Sequence, residues 1–131
     1  MNYALRNGNV NEEQKKMVID LDGALDKMPI YKESKPLQRD YFLDRENLEQ
    51  FIKVMKNNDI FKDKAYLSTS KGHYGEGMEQ VHFIINNSKT GRDISMYNPS
   101  ESEVLFKRNA KFKVTANYLN DGIFTFELEE I

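Results

Sequence analysis

Two glutamates, Glu101 and Glu103, stand where a turn, Asn98-Pro99-Ser100, hands over to a short apolar run, Val104-Leu105-Phe106. Side chains alternate along a strand, so both carboxylates point to one face. A sheet gains nothing structurally from two acids that repel each other. Such a pair marks either a solvated sheet edge or a site where two carboxylates perform different tasks. Two other features could join them in the second reading. Arg39 is a cation on an early extended stretch just past Pro36, and Tyr66-Leu67-Ser68-Thr69-Ser70 reads as a strand ending in three hydroxyls before a glycine-rich loop, Lys71 to Gly77.

Composition narrows the chemistry. A chain of 131 residues is one domain, or one domain cut from a longer chain. Hydrophobic residues make up 39% and aromatics 11%, enough for a core. The net charge of −2, with both signs interspersed, offers no basic footprint for nucleic acid. Without cysteine there is no disulfide framework and no thiol nucleophile. Only His73 and His82 are present, so neither a zinc site nor a histidine-based triad is expected, and both histidines read as incidental. No apolar run approaches ~20 residues, so no membrane span is expected. The start, Met1 to Arg6, lacks an apolar signal-peptide core and opens inside what reads as a structured segment.

The elements that must position these residues fall into two groups. Residues 11–28 read as a helix capped by Asn11, with Glu12 and Glu13 at its positive end, Pro29 as its stop, and Val18, Leu21, Leu25 and Met28 as its buried stripe. An extended segment at 36–42 precedes a second helix from about Asp44 to Lys56, with Leu48, Phe51, Ile52 and Met55 on its apolar face. The remainder is short β-branched and aromatic runs at 60–69, 80–86, 92–97, 103–106, 111–118 and 123–128, separated by turn signals such as Asn120-Asp121-Gly122. Helices first and strands afterwards predict an α+β fold with two small antiparallel sheets packed as a sandwich.

In their order, Arg39, Ser68-Thr69-Ser70 and Glu101-x-Glu103 resemble the arginine, Ser-Thr-Ser and Glu-x-Glu motifs of bacterial mono-ADP-ribosyltransferases of the exoenzyme or toxin type, a group with phage-associated members. The segments Thr90-Gly91-Arg92-Asp93-Ile94-Ser95 and Glu103-Val104-Leu105-Phe106 extend the likeness, which runs over nearly the whole chain.

The resemblance implies cleavage of the nicotinamide–ribose bond of NAD and transfer of ADP-ribose to a protein side chain, with no metal. Glu103 matches the family's catalytic glutamate and Glu101 the acid that handles the acceptor, in the pattern associated with arginine. Ser68 is implied to hydrogen-bond Glu103, while Thr69 and Ser70 support the strand end. Arg39 is implied to clamp the NAD diphosphate, with Lys32 as the alternative cation. Asn2 and Arg6 fall where further NAD contacts occur, Tyr74 in the glycine-rich loop could stack on a ring, and Tyr97 through Ser100 occupy the place of the target-recognition loop. The expected partners are a target protein carrying an acceptor arginine and a larger parent chain or delivery component. The domain is expected to be monomeric, to lack some N-terminal helices of its relatives, and to act as a secreted or injected effector or a phage-particle component. A catalytically silent binding domain and an NAD glycohydrolase are the rival readings.

Overall fold

The computed structural model describes residues 2–72, 77–97 and 102–131. The elements run α1 (Asn2–Asn7), α2 (Glu12–Asp26), β1 (Leu37–Tyr41), α3 (Arg45–Asn57), β2 (Ile60–Lys62), β3 (Leu67–Ser70), β4 (Val81–Asn86), β5 (Arg92–Asp93), β6 (Glu103–Phe106), β7 (Lys111–Asn120) and β8 (Ile123–Glu130). The mixed α+β class follows from the sequence pattern, with helices concentrated early and strands late.

Helix α2 starts with a reciprocal capping box. The Asn11 side chain accepts from the Gln14 N–H at 2.8 Å, and Gln14 accepts from the Asn11 N–H at 3.0 Å. Val18 and Leu25 are its buried residues. Asp44 caps α3 in one direction only, its side chain accepting from the Asn47 N–H at 2.8 Å, and Met55 is the residue this helix buries most deeply. The helix ends lie within two residues of the expected ones.

The strands form one sheet, in the order β2-β7-β8-β4-β1-β3-β6-β5. This corrects the expectation of two separate small sheets. Strand β1 belongs to both halves: it pairs with β4 over five residues on one side, and touches β3 on the other through the single pair Gln38↔Ser70. One shared pair keeps the ladder continuous while letting the halves diverge. The expected all-antiparallel pairing also fails at one place, because β4 and β8 run parallel from Val81↔Phe124 to Asn86↔Glu129. Two expected strands are shortened. The run 60–69 is broken at Asp63, whose carboxylate accepts from the Ala65 N–H at 2.9 Å and turns the chain. The run 92–97 keeps two strand residues before the Tyr97 N–H bonds back to the Ile94 carbonyl at 2.9 Å. The β7–β8 hairpin turns at Asp121 (φ 51°) and Gly122 (φ 80°), the two successive positive φ angles that an Asp-Gly pair tolerates.

Two apolar clusters flank the sheet. The larger contains Leu37, Phe83, Val104, Phe106, Phe112, Phe126 and Leu128, with Phe51 and Ile52 of α3 against it. Each fully buried phenylalanine contributes roughly 1.5–3 kcal/mol by leaving water. The smaller joins Leu5, Val18 and Leu25 of α1 and α2 to Ala65 and Tyr66, with Leu105 packed beside them. Alternation therefore seals Leu67, Thr69, Val104 and Phe106 in the interior and turns Ser68, Ser70, Glu103 and Leu105 toward the side of α1 and α2.

Candidate active site

Glu103 is the first residue of β6, directly opposite Ser70, and Ser68 is opposite Leu105. The Ser68 hydroxyl nonetheless donates to Glu103 Oε2, reaching diagonally across the ladder. The three consecutive hydroxyls have three different partners. Thr69, on the buried face, donates to the Val104 carbonyl at 2.6 Å. The Ser70 hydroxyl accepts from the Gly72 N–H at 3.1 Å, shaping the exit from β3.

Arg39 enters where the sheet parts. Beyond Gln38↔Ser70 the β1–β3 ladder stops, and the Arg39 Nη1 reaches the Ser68 carbonyl at 3.4 Å. A side chain thus supplies a hydrogen bond where the strands have diverged. The guanidinium lies 4.9 Å from the Tyr41 ring centroid. Burial pushes the Tyr41 hydroxyl up to about 12, so Tyr41 is neutral beneath the cation at physiological pH. Arg39 Nε is buried without a hydrogen-bond partner among the described residues, an arrangement suited to a guanidinium held for an anion. Arg39 and Glu103 thus approach Ser68 through different atoms, one at its carbonyl and one at its hydroxyl.

Arg39 also lines an open groove of about 740 Å³ with Arg6, Tyr41, Phe42, Phe61 and Asp63, within the size range of small-molecule sites. Arg6 is engaged there with Asp63 through a bidentate pair, Nε–Oδ1 at 3.1 Å and Nη2–Oδ2 at 2.9 Å. Its pKa is raised, chiefly by that hydrogen bond. Asn2 spans the Tyr66 peptide, donating to its carbonyl at 3.5 Å and accepting from its N–H at 3.3 Å, and so ties α1 to the entry of β3. Lys32 is exposed in the connection ahead of β1. Tyr97 is 69% exposed on the turn after β5, beside a groove of about 510 Å³ formed with Ile19, Gly23 and Met28. Glu101 and Tyr74 lie outside the described residues.

The strand edge that presents Glu103 is braced by residues to which the sequence alone assigns no individual role. The Lys71 N–H donates to the Ser102 carbonyl at 3.1 Å, and the Ile94 N–H to the Glu103 carbonyl at 3.1 Å. Ser102 takes φ 47°, the left-handed region, immediately before Glu103. Lys71 Nζ bonds Asp93 Oδ2 at 2.7 Å, and Asp93 in turn accepts from the Ser95 hydroxyl at 2.6 Å. Burial pulls the Asp93 carboxyl upward, but the bonds from Lys71 and Ser95 outweigh it and leave the pKa lowered. The preceding residues anchor this edge. Arg92 donates to the Met28 carbonyl at 2.9 Å, and Thr90 bonds the Glu130 carboxylate. The one local signal was the Thr90-to-Ser95 motif itself, whose residues turn out to brace the edge strand.

The family model described as ADP-ribosyltransferase exoenzyme matches residues 1–126. A Mycobacterium avium (strain 104) protein, Mav, whose name assigns it NAD(+)–arginine ADP-ribosyltransferase activity, is 33% identical over 125 residues, covering 88% of this chain and 14% of its own length. Among solved structures, the fold is similar to Plx2a, an ADP-ribosyltransferase toxin from Paenibacillus larvae (TM-score 0.76, 21% identity, 99% of this chain and 78% of that one). Exoenzyme S from Pseudomonas aeruginosa, solved with human 14-3-3 protein beta and carba-NAD, gives a TM-score of 0.73 at 20% identity over 98% of this chain and 64% of that one. The ADP-ribosyltransferase Vis from Vibrio splendidus, solved with agmatine, gives 0.69 at 21% identity over 91% and 58%.

Proposed function

The chain belongs to the ADP-ribosyltransferase exoenzyme family, and we propose that it transfers one ADP-ribose from NAD to an arginine of a target protein, releasing nicotinamide. The observation that carries this reading is the Ser68 hydroxyl on the Glu103 carboxylate, with the Arg39 guanidinium on the carbonyl of the same Ser68.

The proposed chemistry follows from what each group can do. The bond between nicotinamide and the ribose breaks, nicotinamide leaves as a neutral molecule, and positive charge develops on the ribose. A fixed carboxylate stabilises that charge in the transition state, as in glycoside hydrolysis. Glu103 is assigned this role, with Ser68 holding its rotamer. Arg39 is assigned to the NAD diphosphate through charge-assisted hydrogen bonds, and Arg6, oriented by Asp63, adds a second cation to the same groove. Asn2 contributes by fixing α1, which carries Arg6, to the entry of β3. An acceptor guanidinium then forms the new carbon–nitrogen bond and must lose a proton. Its pKa above ~12 makes a second carboxylate a sensible requirement, and Glu101 is assigned to it. Tyr97 is assigned to target recognition.

Arginine as acceptor is supported by the Glu-x-Glu spacing, by the name of the Mycobacterium avium relative, and by agmatine, an alkyl guanidine, in the Vis structure. The chain spans 14% of the length of that relative, which fits a larger parent chain or delivery component, and an exported or injected toxin is supported by the toxins among the similar structures. The test is release of nicotinamide from NAD by the purified protein, with and without an arginine-bearing acceptor. Turnover that depends on Glu103 and rises with acceptor supports the transferase. Turnover indifferent to acceptor identifies a glycohydrolase instead.

A further inference from the structure

On the side of β1 opposite Arg39, Asp40 pairs in register with His82 of β4, and the Asp40 Oδ1 lies 2.5 Å from His82 Nδ1. Glu79, buried just ahead of β4, brings a second carboxylate. One donor atom from each of Asp40, Glu79 and His82 lies within 4.8 Å of the others. We propose that these three side chains form a binding site for one divalent transition-metal ion of the zinc class.

Three observations carry this. The donor set is one imidazole nitrogen and two carboxylates, which favours zinc over magnesium or calcium, ions that prefer all-oxygen shells. The spacing fits: metal–ligand bonds of about 2.0–2.2 Å put two donors of a tetrahedral ion about 3.4 Å apart, so the Asp40–His82 contact needs to open by only about 1 Å. The donors are also mounted on pinned backbone. Asp40 and His82 sit within the β1–β4 ladder, one pair in from its Tyr41↔Val81 end. Glu79 adjoins Gln80, whose N–H donates to the Tyr41 carbonyl at 3.0 Å and whose carbonyl accepts from Phe124 at 3.1 Å. With both carboxylates ionised and the imidazole neutral, as a ligand must be, these three side chains carry two negative charges. A divalent ion matches that charge and ties the segment before β4 to the strand that carries Arg39. Nothing in this assignment depends on the transferase reading.

The experiment is titration of the EDTA-stripped protein with Zn²⁺, followed by calorimetry, thermal melting and the NMR signals of the His82 ring. One ion should bind per chain, raising Tm and shifting the His82 ring signals. Mg²⁺ and Ca²⁺ should give no comparable rise. Glu79→Gln and His82→Gln should each weaken zinc binding at least tenfold. If either buried variant fails to melt cooperatively, Asp40→Asn carries the same criterion. Absence of saturable one-to-one binding, unmoved His82 ring signals in the wild type, or undiminished affinity in the variants overturns the proposal. In that case the cluster is an imidazole held between two carboxylates.

Discussion

Ser68 and Glu103 are bonded to each other but are not opposite each other: Ser68 faces Leu105 in register, and Glu103 faces Ser70. The bond is therefore a diagonal one, leaving Ser70 to the turn and Glu103 braced at one carboxylate oxygen. Ser68→Ala should cost about tenfold in kcat/KM for NAD cleavage, the equivalent of one modest hydrogen bond, and leave the fold intact. Thr69→Val should do the reverse. It removes a buried bond to the Val104 carbonyl and should lower stability by about 1 kcal/mol. Urea unfolding beside nicotinamide release separates the two, and equal effects on both measures would refute the division between faces.

Arg39 presents a planar fork that a lysine cannot reproduce. Arg39→Lys should raise KM for NAD about tenfold with a smaller change in kcat, because binding of the diphosphate is lost while Glu103 is untouched. Steady-state kinetics checks this, and an unchanged KM would remove Arg39 from the site.

Gly91 has no room for a methyl group. An added Cβ would lie 2.9 Å from Val104 Cγ1 and 3.1 Å from Phe106 Cζ, both in the core. Gly91→Ala should therefore destabilise by about 1–3 kcal/mol through overpacking, read as a lower urea midpoint. A wild-type midpoint would show that the edge strand yields without cost.

The Lys71–Asp93 pair makes stability depend on pH. The folded state lowers the Asp93 pKa, so folding favours the charged carboxylate. Its contribution is complete above the ordinary aspartate value of about 3.9 and is lost as pH falls through the lower folded value. Asp93→Asn should cost about 1–2 kcal/mol at pH 7, and the gap between variant and wild type should close below about pH 4. A gap that persists in acid would mean that packing, not charge, accounts for the loss.

Much of this was legible in the chain because its cause was local. Asn11 followed by Glu12 and Glu13, and Asp44, signal their helices within a single turn, and Asp121-Gly122 states its hairpin. The order of Arg39, Ser68-Thr69-Ser70 and the glutamates was enough to indicate the family. The unbroken sheet was not legible, because it rests on the single pair Gln38↔Ser70, which no sequence periodicity marks. The parallel pairing of β4 and β8 was likewise hidden, since alternation in 123–128 is the same in either direction. Arg6 with Asp63, Lys71 with Asp93, and Asp40 with His82 are meetings of distant residues, each ordinary in its own neighbourhood. His82 read as incidental because Asp40 and Glu79 approach it only in three dimensions.

The central claim is that the two glutamates perform different tasks, and one paired measurement tests it directly. Nicotinamide release and ADP-ribose transfer to an arginine-bearing acceptor should be followed in Glu103→Gln and Glu101→Gln. Removing the charge of Glu103 should lower both activities by at least about 10²-fold. Glu101→Gln should lower transfer by a similar factor while leaving appreciable release. Equal loss of release in both variants, or full release in Glu103→Gln, would contradict the account.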